Sequence, residues 1–126
     1  MKGLNKLIEF KNQNFNCEKE LALSIIGGKW KLMIVWELLR GAPLRLNQIE
    51  KAIPNAHQRV LINQLKELEK DALVTRTIYP VMPPKVEYTL TELGESLKPL
   101  AEELYKWGIH VYNYKKIGDQ NGKTKY

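Results

Sequence analysis

One segment in the middle of the chain carries cationic and amide side chains at helical spacing. Arg59, Asn63 and Lys66 recur at intervals of three and four residues, and Lys70 continues the series, so a helix would place all four on one face. The opposite face of that helix would hold the apolar residues Leu61, Leu65, Leu68 and Ala72. Arginine and lysine bind phosphates and guanine edges, and asparagine pairs with adenine, so the polar face fits the major groove of a DNA duplex. The alternative is a charged face that contacts only solvent.

Neighbouring positions would extend this surface. His57 opens the predicted helix, and Gln58 and Ile62 flank the charged stripe, where Ile62 would contact a thymine methyl group. Cations outside the helix are predicted to bind the phosphate backbone, with solvent-facing charges as the alternative: Arg45, Arg76 and Lys85, and in addition Lys29 and Lys31. Lys85 opens a predicted strand, from which it would also reach a minor groove.

The elements around the helix follow the order of a winged helix-turn-helix domain. A short helix is predicted over residues 47–53, where Pro54 ends it, and alternating apolar residues predict two strands over 73–79 and 85–90. Two of the residues 81–84 are prolines, which cannot donate ladder hydrogen bonds, so this segment is predicted to be a stiff, projecting loop. The sequence therefore predicts an α+β, mostly helical fold with a two-stranded wing.

Apolar periodicity predicts the helices that flank this unit. Residues 18–26 form an amphipathic pattern that Gly27-Gly28 ends, and residues 30–39 are apolar almost all round, which is typical of the centre of a core. A long helix is predicted to start at Thr91-Glu92, and its apolar residues step by four and three, the rhythm of helix-against-helix packing. These residues are predicted to form a dimer interface: Leu97, Leu100, Leu104, Trp107 and Val111.

The two ends of the chain carry weaker patterns. Residues 1–16 predict an arm that contacts a second subunit, with a short helix followed by a turn near Asn12. Residues 17–108 form the winged-helix domain, and residues 109–126 form the end of the long helix and a polar tail that frays from about residue 115. Leu44–Leu46, just before the short helix, fits a strand of a single bridge.

Composition bounds the class of protein. The chain has 126 residues, enough for one modest core, and a formal net charge of +6, which fits a polyanionic partner. No apolar run approaches the roughly 20 residues that span a bilayer, and the first residues lack the apolar centre of a signal peptide. The expectation is a cytoplasmic protein without a membrane partner.

Enzyme and metal chemistry find little support. His57 and His110 are far apart and have no cysteine or carboxylate cluster at ligand spacing, so neither a metal nor another cofactor is expected. Nothing resembles a nucleophile elbow or a phosphate-binding loop, so the chain is not expected to be an enzyme. An apolar pocket between Trp107 and the second long helix, 30–39, is a candidate site for a small effector.

Several motifs together resemble the HxlR family of bacterial winged-helix transcriptional regulators, which are related to the MarR group. The matching stretches are IGGKW at 26–30, RLNQI at 45–49, QLKELE at 64–69, RTIY at 76–79, PPKVEYTLTELG at 83–94 and WG at 107–108. The resemblance implies a homodimer on a pseudo-palindromic operator, with one recognition helix per half-site and the wings beside the flanking grooves. The chain departs from the family pattern at Glu18, Leu46, His57 and Ile62, and the last two bear on the operator sequence.

The single cysteine, Cys17, leaves two readings open. It is either a small residue half-buried at the dimer interface or a sensor of oxidants and electrophiles, as the resemblance implies for this position. A helix N-terminus and Lys19 favour the thiolate, whereas Glu18 and Glu20 oppose it. Since the chain has no second cysteine, a disulfide would join two subunits or a small thiol.

The sequence thus predicts a DNA-binding regulator, with repression favoured over activation. Its binding partner would be double-stranded DNA, and an oxidant or small molecule would act as effector. The alternative is a winged helix that serves as a protein-interaction module, with a solvated basic face and no operator.

Overall fold

Helices dominate the part of the chain that the structure describes. The computed structural model describes residues 8–10 and 12–120. The elements are β1 (Ile8–Phe10), β2 (Gln13–Phe15), α1 (Glu18–Ile26), α2 (Lys31–Gly41), α3 (Leu46–Ala52), α4 (Gln58–Lys70), β3 (Val74–Tyr79), β4 (Lys85–Leu90), α5 (Glu92–Glu95) and α6 (Lys98–Gln120). The predicted winged helix-turn-helix fold of the α+β class is confirmed.

The hydrophobic core lies where α2, α3, α4 and the β3–β4 wing meet. Its most deeply buried side chains come from α2, from α3 and the residue that ends it, and from one face of α4: Ile34, Val35, Leu38, Ile49, Ile53, Leu61, Leu65 and Leu68. Truncating one such side chain to alanine typically costs about 2–5 kcal/mol. The prediction that residues 30–39 form the centre of the core is confirmed, and so is the buried face of α4.

The wing begins and ends within one residue of its predicted bounds. β3 and β4 pair antiparallel, from Val74 opposite Leu90 to Tyr79 opposite Lys85. Leu44 adds the predicted single bridge, since it exchanges two backbone hydrogen bonds with Tyr88, of 2.8 and 3.1 Å. This bridge ties the segment before α3 to the wing, so the helix-turn-helix and the wing form one packed unit.

The end of α4 differs from the prediction at Ala72. Ala72 has a φ of 65° and is exposed, so it lies beyond the helix and not on its apolar face. The Ala72 N–H donates to the Glu69 carbonyl (3.0 Å), and the Leu73 N–H donates to the Leu68 carbonyl (2.9 Å). These two bonds form a Schellman motif, in which the residue after the cap adopts the left-handed conformation.

The start of α3 also differs slightly from the prediction. The helix begins at Leu46, and the Gln48 side-chain oxygen accepts a hydrogen bond of 2.8 Å from the Arg45 N–H. The cap is therefore formed at Arg45, and Asn47 lies inside the first turn.

The described part of the N-terminal arm is a hairpin, so the short helix predicted there is wrong over residues 8–10 and 12–16. β1 and β2 pair antiparallel around a turn in which Asn12 has a φ of 62°, as asparagine tolerates. Phe15 is buried, and both strands contact α1. The hairpin buries Phe15 against the body of the protein, which an isolated short helix would not achieve. Residues 1–7 lie outside the described residues.

The long C-terminal helix starts later than predicted, because a separate short helix precedes it. The Thr91 hydroxyl accepts from the Gly94 N–H (3.1 Å) and donates to the Ala72 carbonyl, which fixes α5 against the end of α4. A Cβ on Gly94 would lie 2.2 Å from the Leu73 carbonyl oxygen, so only glycine permits this close approach. The chain then turns, and α6 runs from Lys98 to Gln120, past the point where fraying was predicted. Residues 121–126 of the predicted tail lie outside the described residues.

Candidate nucleic-acid interface

The polar stripe of α4 lies on the outside of the domain. Arg59, Asn63, Lys66 and Lys70 are all exposed, while the opposite side of the helix is sealed into the core. His57 and Gln58, at the start of the helix, are exposed as well. The sequence folds this way because apolar residues at helical spacing bury one face and so leave the other to solvent. The stripe thus presents three cations and an amide along about three turns of a firmly packed helix.

A groove joins α4 to the wing. It has a volume of about 450 Å³ and is lined by Leu46, Ile62, Lys66, Glu69, Arg76, Val86 and Tyr88. The structure therefore brings together three predicted contact residues from two elements, Ile62 and Lys66 from α4 and Arg76 from β3. Ile62 is half-buried in this groove, so it forms part of the apolar floor beneath the cations. Glu69 also lines the groove, and the sequence stripe did not single it out because it lies off the predicted polar face.

The wing presents its two predicted cations differently. Arg76 is exposed on β3 and borders the groove. Lys85 is half-buried, with its Nζ 3.4 Å from Glu87 Oε2 and 5.0 Å from the centre of the Tyr79 ring. Both groups therefore lie against the Lys85 ammonium group, and only 17% of the Glu87 side chain is exposed.

The cations near the N-terminal half of the domain divide into two kinds. Arg45 is exposed at the start of α3, and Lys29 is exposed with its Nζ 4.7 Å from the centre of the Trp30 ring. Lys31, by contrast, is only 6% exposed, and its Nζ contacts Glu67 Oε1 at 2.6 Å and the Ile25 carbonyl at 3.1 Å. The hypothesis that Lys31 binds phosphate is wrong, because this cation holds the end of α1 against α4 inside the domain.

Comparison with known proteins decides the family. A profile of the HxlR-like helix-turn-helix family matches residues 25–116, which include the helix-turn-helix, the wing and most of α6. The chain belongs to the HxlR family. Among curated relatives, the uncharacterized HTH-type transcriptional regulator YkvN of Bacillus subtilis is 48% identical over 96 residues, covering 76% of this chain and 80% of YkvN.

Solved structures of other regulators share the fold. The oxidized form of the redox regulator HypR superposes with a TM-score of 0.71 at 41% identity, over 75% of this chain and 96% of HypR. The reduced form of the transcriptional regulator YodB from B. subtilis gives a TM-score of 0.63 at 40% identity, over 72% of this chain and 89% of YodB. The resemblance predicted from the sequence motifs is confirmed.

In this HxlR-type chain, α6 exposes a long series of large apolar and aromatic side chains. Of the predicted interface residues, Leu100, Leu104 and Trp107 are about half to two-thirds exposed, Val111 is half-buried, and Leu97 packs against the core. The structure adds residues that the four-and-three spacing did not select: Tyr105, Ile109, Tyr112, Tyr114 and Ile117. Exposed apolar area of this extent on one helix is typical of a protein–protein contact surface.

α6 is tied to the body of the domain at its N-terminal part. The rings of Trp36 on α2 and Tyr105 on α6 stack with their centres 5.3 Å apart. Beside them lies an apolar recess of about 120 Å³, lined by Leu32, Met33, Trp36, Ala101, Leu104 and Tyr105. The recess lies between α2 and α6, but Trp107, which was predicted to bound the effector pocket, does not line it.

Cys17 occupies the N-cap position of α1. It is half-buried, and its carbonyl accepts hydrogen bonds from the N–H groups of Glu20 and Leu21, at 3.1 and 3.2 Å. Cys17 thus lies at the start of a helix, as the sequence predicts, and the hairpin that precedes it was not predicted.

Two features of the described residues concern a metal ion and a membrane as partners. Over residues 8–10 and 12–120, no three histidine, cysteine or carboxylate side chains gather at distances that would hold a metal ion. Within the same residues, every helix is too short or too polar to cross a bilayer.

Proposed function

We propose that this chain is a sequence-specific, DNA-binding transcriptional regulator of a bacterial cytoplasm, that it binds a pseudo-palindromic operator as a homodimer, and that it acts as a repressor. The observation that carries the proposal is the shared groove of α4 and the wing. It sets Lys66 of the helix and Arg76 of the wing on one surface, with the Arg59–Asn63 face adjoining it. A helix face of this composition fits a major groove, and the cations that border it fit the flanking phosphates.

The roles of the individual residues follow from their positions. Arg59 and Asn63 are exposed near the start of α4, where a recognition helix contacts base edges, and His57 and Gln58 precede them. Arg45, Arg76 and Lys85 lie on neighbouring elements and would position the domain on the backbone. Ile62, in the floor of the groove, would meet a thymine methyl group.

The dimer part of the proposal rests on α6. Its exposed apolar residues, among them Leu100, Leu104 and Trp107, would pair with a second copy and set the distance between two recognition helices. Half-sites about one helical turn apart, roughly 34–36 Å, are then expected in the operator. A charge placed at this interface, as in Leu104→Glu, should shift the sedimentation coefficient toward that of a single subunit and weaken operator binding. A Leu23→Glu control, also at an exposed apolar residue, should leave both unchanged.

A salt titration tests whether DNA is the partner. The operator is first selected from fragmented genomic or random duplexes, and affinity is then measured at increasing salt. Since each neutralised phosphate contributes about −0.9 to the slope of log affinity against log salt, roughly three contacts per subunit give a slope near −5. An almost flat slope, or the absence of any selected duplex, would instead favour the protein-interaction module.

The response to oxidants is a separate part of the proposal. HypR is described as a redox regulator, and this chain shares its fold at 41% identity. Oxidation of two Cys17 thiols, one from each subunit, would form a disulfide as two protons and two electrons pass to the oxidant. The link would shift the N-terminal arm (residues 1–16), which together with α6 would set the spacing of the recognition helices. A small effector in the α2–α6 recess would act on α6.

Operator binding measured with and without diamide, in the parent and in Cys17→Ser, tests this part. Diamide should change binding only in the parent. Equal responses of both proteins would exclude the thiol as sensor while leaving the DNA-binding proposal intact.

A further inference from the structure

The tip of the wing is apolar, unlike the rest of the surface that faces DNA. The loop between β3 and β4 reads Pro80-Val81-Met82-Pro83-Pro84 and contains no charged residue. Met82 is 93% exposed and Val81 is 51% exposed, so the two side chains project into solvent. An almost fully exposed methionine buries little apolar surface in its own domain. Its side chain would therefore lose contact with water only when a partner covers it.

The loop holds these side chains in a restricted conformation. Three of its five residues are prolines, whose φ angles are fixed by their rings, and the Val81 N–H donates to the Tyr79 carbonyl at 2.8 Å. The strands are paired up to Tyr79 opposite Lys85, directly below the loop. The tip is therefore carried on a closed two-stranded ribbon, and little conformational entropy remains to be lost when it binds.

The register of the wing places this tip beyond the cationic groove. Arg76 and Val86 line the groove shared with α4, and the ribbon continues outward from them to Tyr79 and Lys85. At about 3.3 Å per residue, the three residues from Arg76 to Tyr79 cover roughly 10 Å. If α4 lies in a major groove, that reach would bring the loop across one phosphate backbone to the adjacent minor groove.

The chemistry of the tip fits deformation of DNA better than charge readout. A cation would be needed to follow the negative potential of a narrow minor groove, but the nearest one, Lys85, is held by Glu87 and the Tyr79 ring below the tip. Methionine and proline belong to the side chains that proteins insert between base steps from the minor groove, which kinks the duplex toward the major groove.

We propose that Met82, backed by Val81 and the wing prolines, wedges into a base step in the minor groove beside each half-site and bends the operator. This inference rests on the proposed function and specifies its DNA substrate. Pyrimidine–purine steps such as TA and CA/TG unstack most easily, so they are selected at the flanking position without any hydrogen bond to a base. Each end of the site then has a sequence preference that α4 does not read.

The test compares Met82→Ser, which removes the wedge, with Met82→Leu, which keeps an apolar side chain of similar size. A selected operator carries dyes at its two ends to report bending by energy transfer, and a 2-aminopurine at the flanking step to report unstacking. With the parent and with Met82→Leu, the two ends of the operator approach each other and the 2-aminopurine fluorescence increases. A duplex with a TA step at the flanking position is bound roughly fivefold to tenfold more tightly than one with a GC step, which is the lower range of what one unfavourable base pair costs. With Met82→Ser, all three effects shrink, and the step preference falls below twofold. Arg76→Ala weakens binding to TA and GC duplexes equally, because it removes only a backbone contact.

Other results overturn the wedge. If Met82→Ser bends, unstacks and selects like the parent, or if it loses affinity equally for both duplexes, the tip does not enter a base step. If the substitution changes the sedimentation of the protein without DNA, the tip is a contact between copies of the chain. The outcomes also separate the two proposals. A parent that binds its operator with a steep salt dependence but leaves it straight refutes the wedge alone, whereas a parent that binds no duplex refutes the proposed function and the wedge with it.

Discussion

Removing the Glu67 carboxylate should destabilise the domain more than its surface position indicates. The side chain of Glu67 is 55% exposed, but its partner Lys31 is only 6% exposed. In Glu67→Ala the ammonium group keeps the Ile25 carbonyl, 3.1 Å away, and loses the carboxylate at 2.6 Å. A largely buried cation would then have one neutral acceptor in place of a charge partner.

The loss of unfolding free energy expected for Glu67→Ala lies between two limits. Exposed ion pairs contribute about 0.2–1 kcal/mol, and breaking a fully buried pair costs about 3–5 kcal/mol. Because one partner is buried and the other is half in solvent, Glu67→Ala should cost about 2 kcal/mol of unfolding free energy. Lys31→Met should cost less, because replacing the cation with an apolar side chain removes the cost of burying a charge. The two changes combined should then cost little more than Lys31→Met alone.

Urea unfolding followed by circular dichroism measures these differences. All variants are compared at one protein concentration, since the stability of a dimer depends on concentration. Glu103→Ala is the matched control. Glu103 also forms an ion pair of 3.3 Å, with Lys106, but the side chains of both residues are about 70% exposed. Two results would refute the account of a buried cation held by Glu67. One is an equal loss of unfolding free energy in Glu67→Ala and Glu103→Ala. The other is a larger loss from Glu67→Ala in the Lys31→Met background than in the parent.

Two further substitutions test the recognition face and the end of α4. Arg59→Ala should weaken operator binding, measured by fluorescence anisotropy, by about 1–3 kcal/mol. The control Lys106→Ala, on α6, should leave the affinity unchanged. If Arg59→Ala binds as tightly as the parent, this face of α4 is not the recognition face. Ala72→Gly should raise the unfolding free energy by about 0.5–1 kcal/mol, because Ala72 adopts a φ of 65° that glycine takes without strain. Ala22→Gly, within α1, should lower it by about 1 kcal/mol, and a loss of stability at both positions would contradict the conformation assigned to Ala72.

The Lys31–Glu67 pair also links the two regions that the proposed function uses. Glu67 lies on α4 between Lys66 and the buried Leu68, and Lys31 holds the carbonyl at the end of α1. The hairpin packs on α1, and Cys17 lies at their junction.

The winged-helix core was predictable because its signals are local. Leu61, Leu65 and Leu68 repeat at the period of a helix, while β4 alternates at the period of a strand, so each pattern specifies its own element and its buried face. Proline has no N–H to donate to a ladder, so the prolines between the strands marked the limits of the wing loop within one residue. The outward position of Arg59, Asn63 and Lys66 then followed, because the opposite face of the same helix had to be buried.

Interactions between distant parts of the chain decided what the local patterns could not. Lys31 looks like a surface cation in the sequence, and only the packing of α2 against α4 brings Glu67 within 2.6 Å of it. The short α5 lies against Leu73, with Gly94 close to the Leu73 carbonyl, and no helical period reports that contact. The hairpin at the N-terminus gains its stability from burying Phe15 against the domain. Periodicity determines which face of an element is apolar, but desolvation of a charge and the close approach of two backbones depend on the neighbours that the fold supplies.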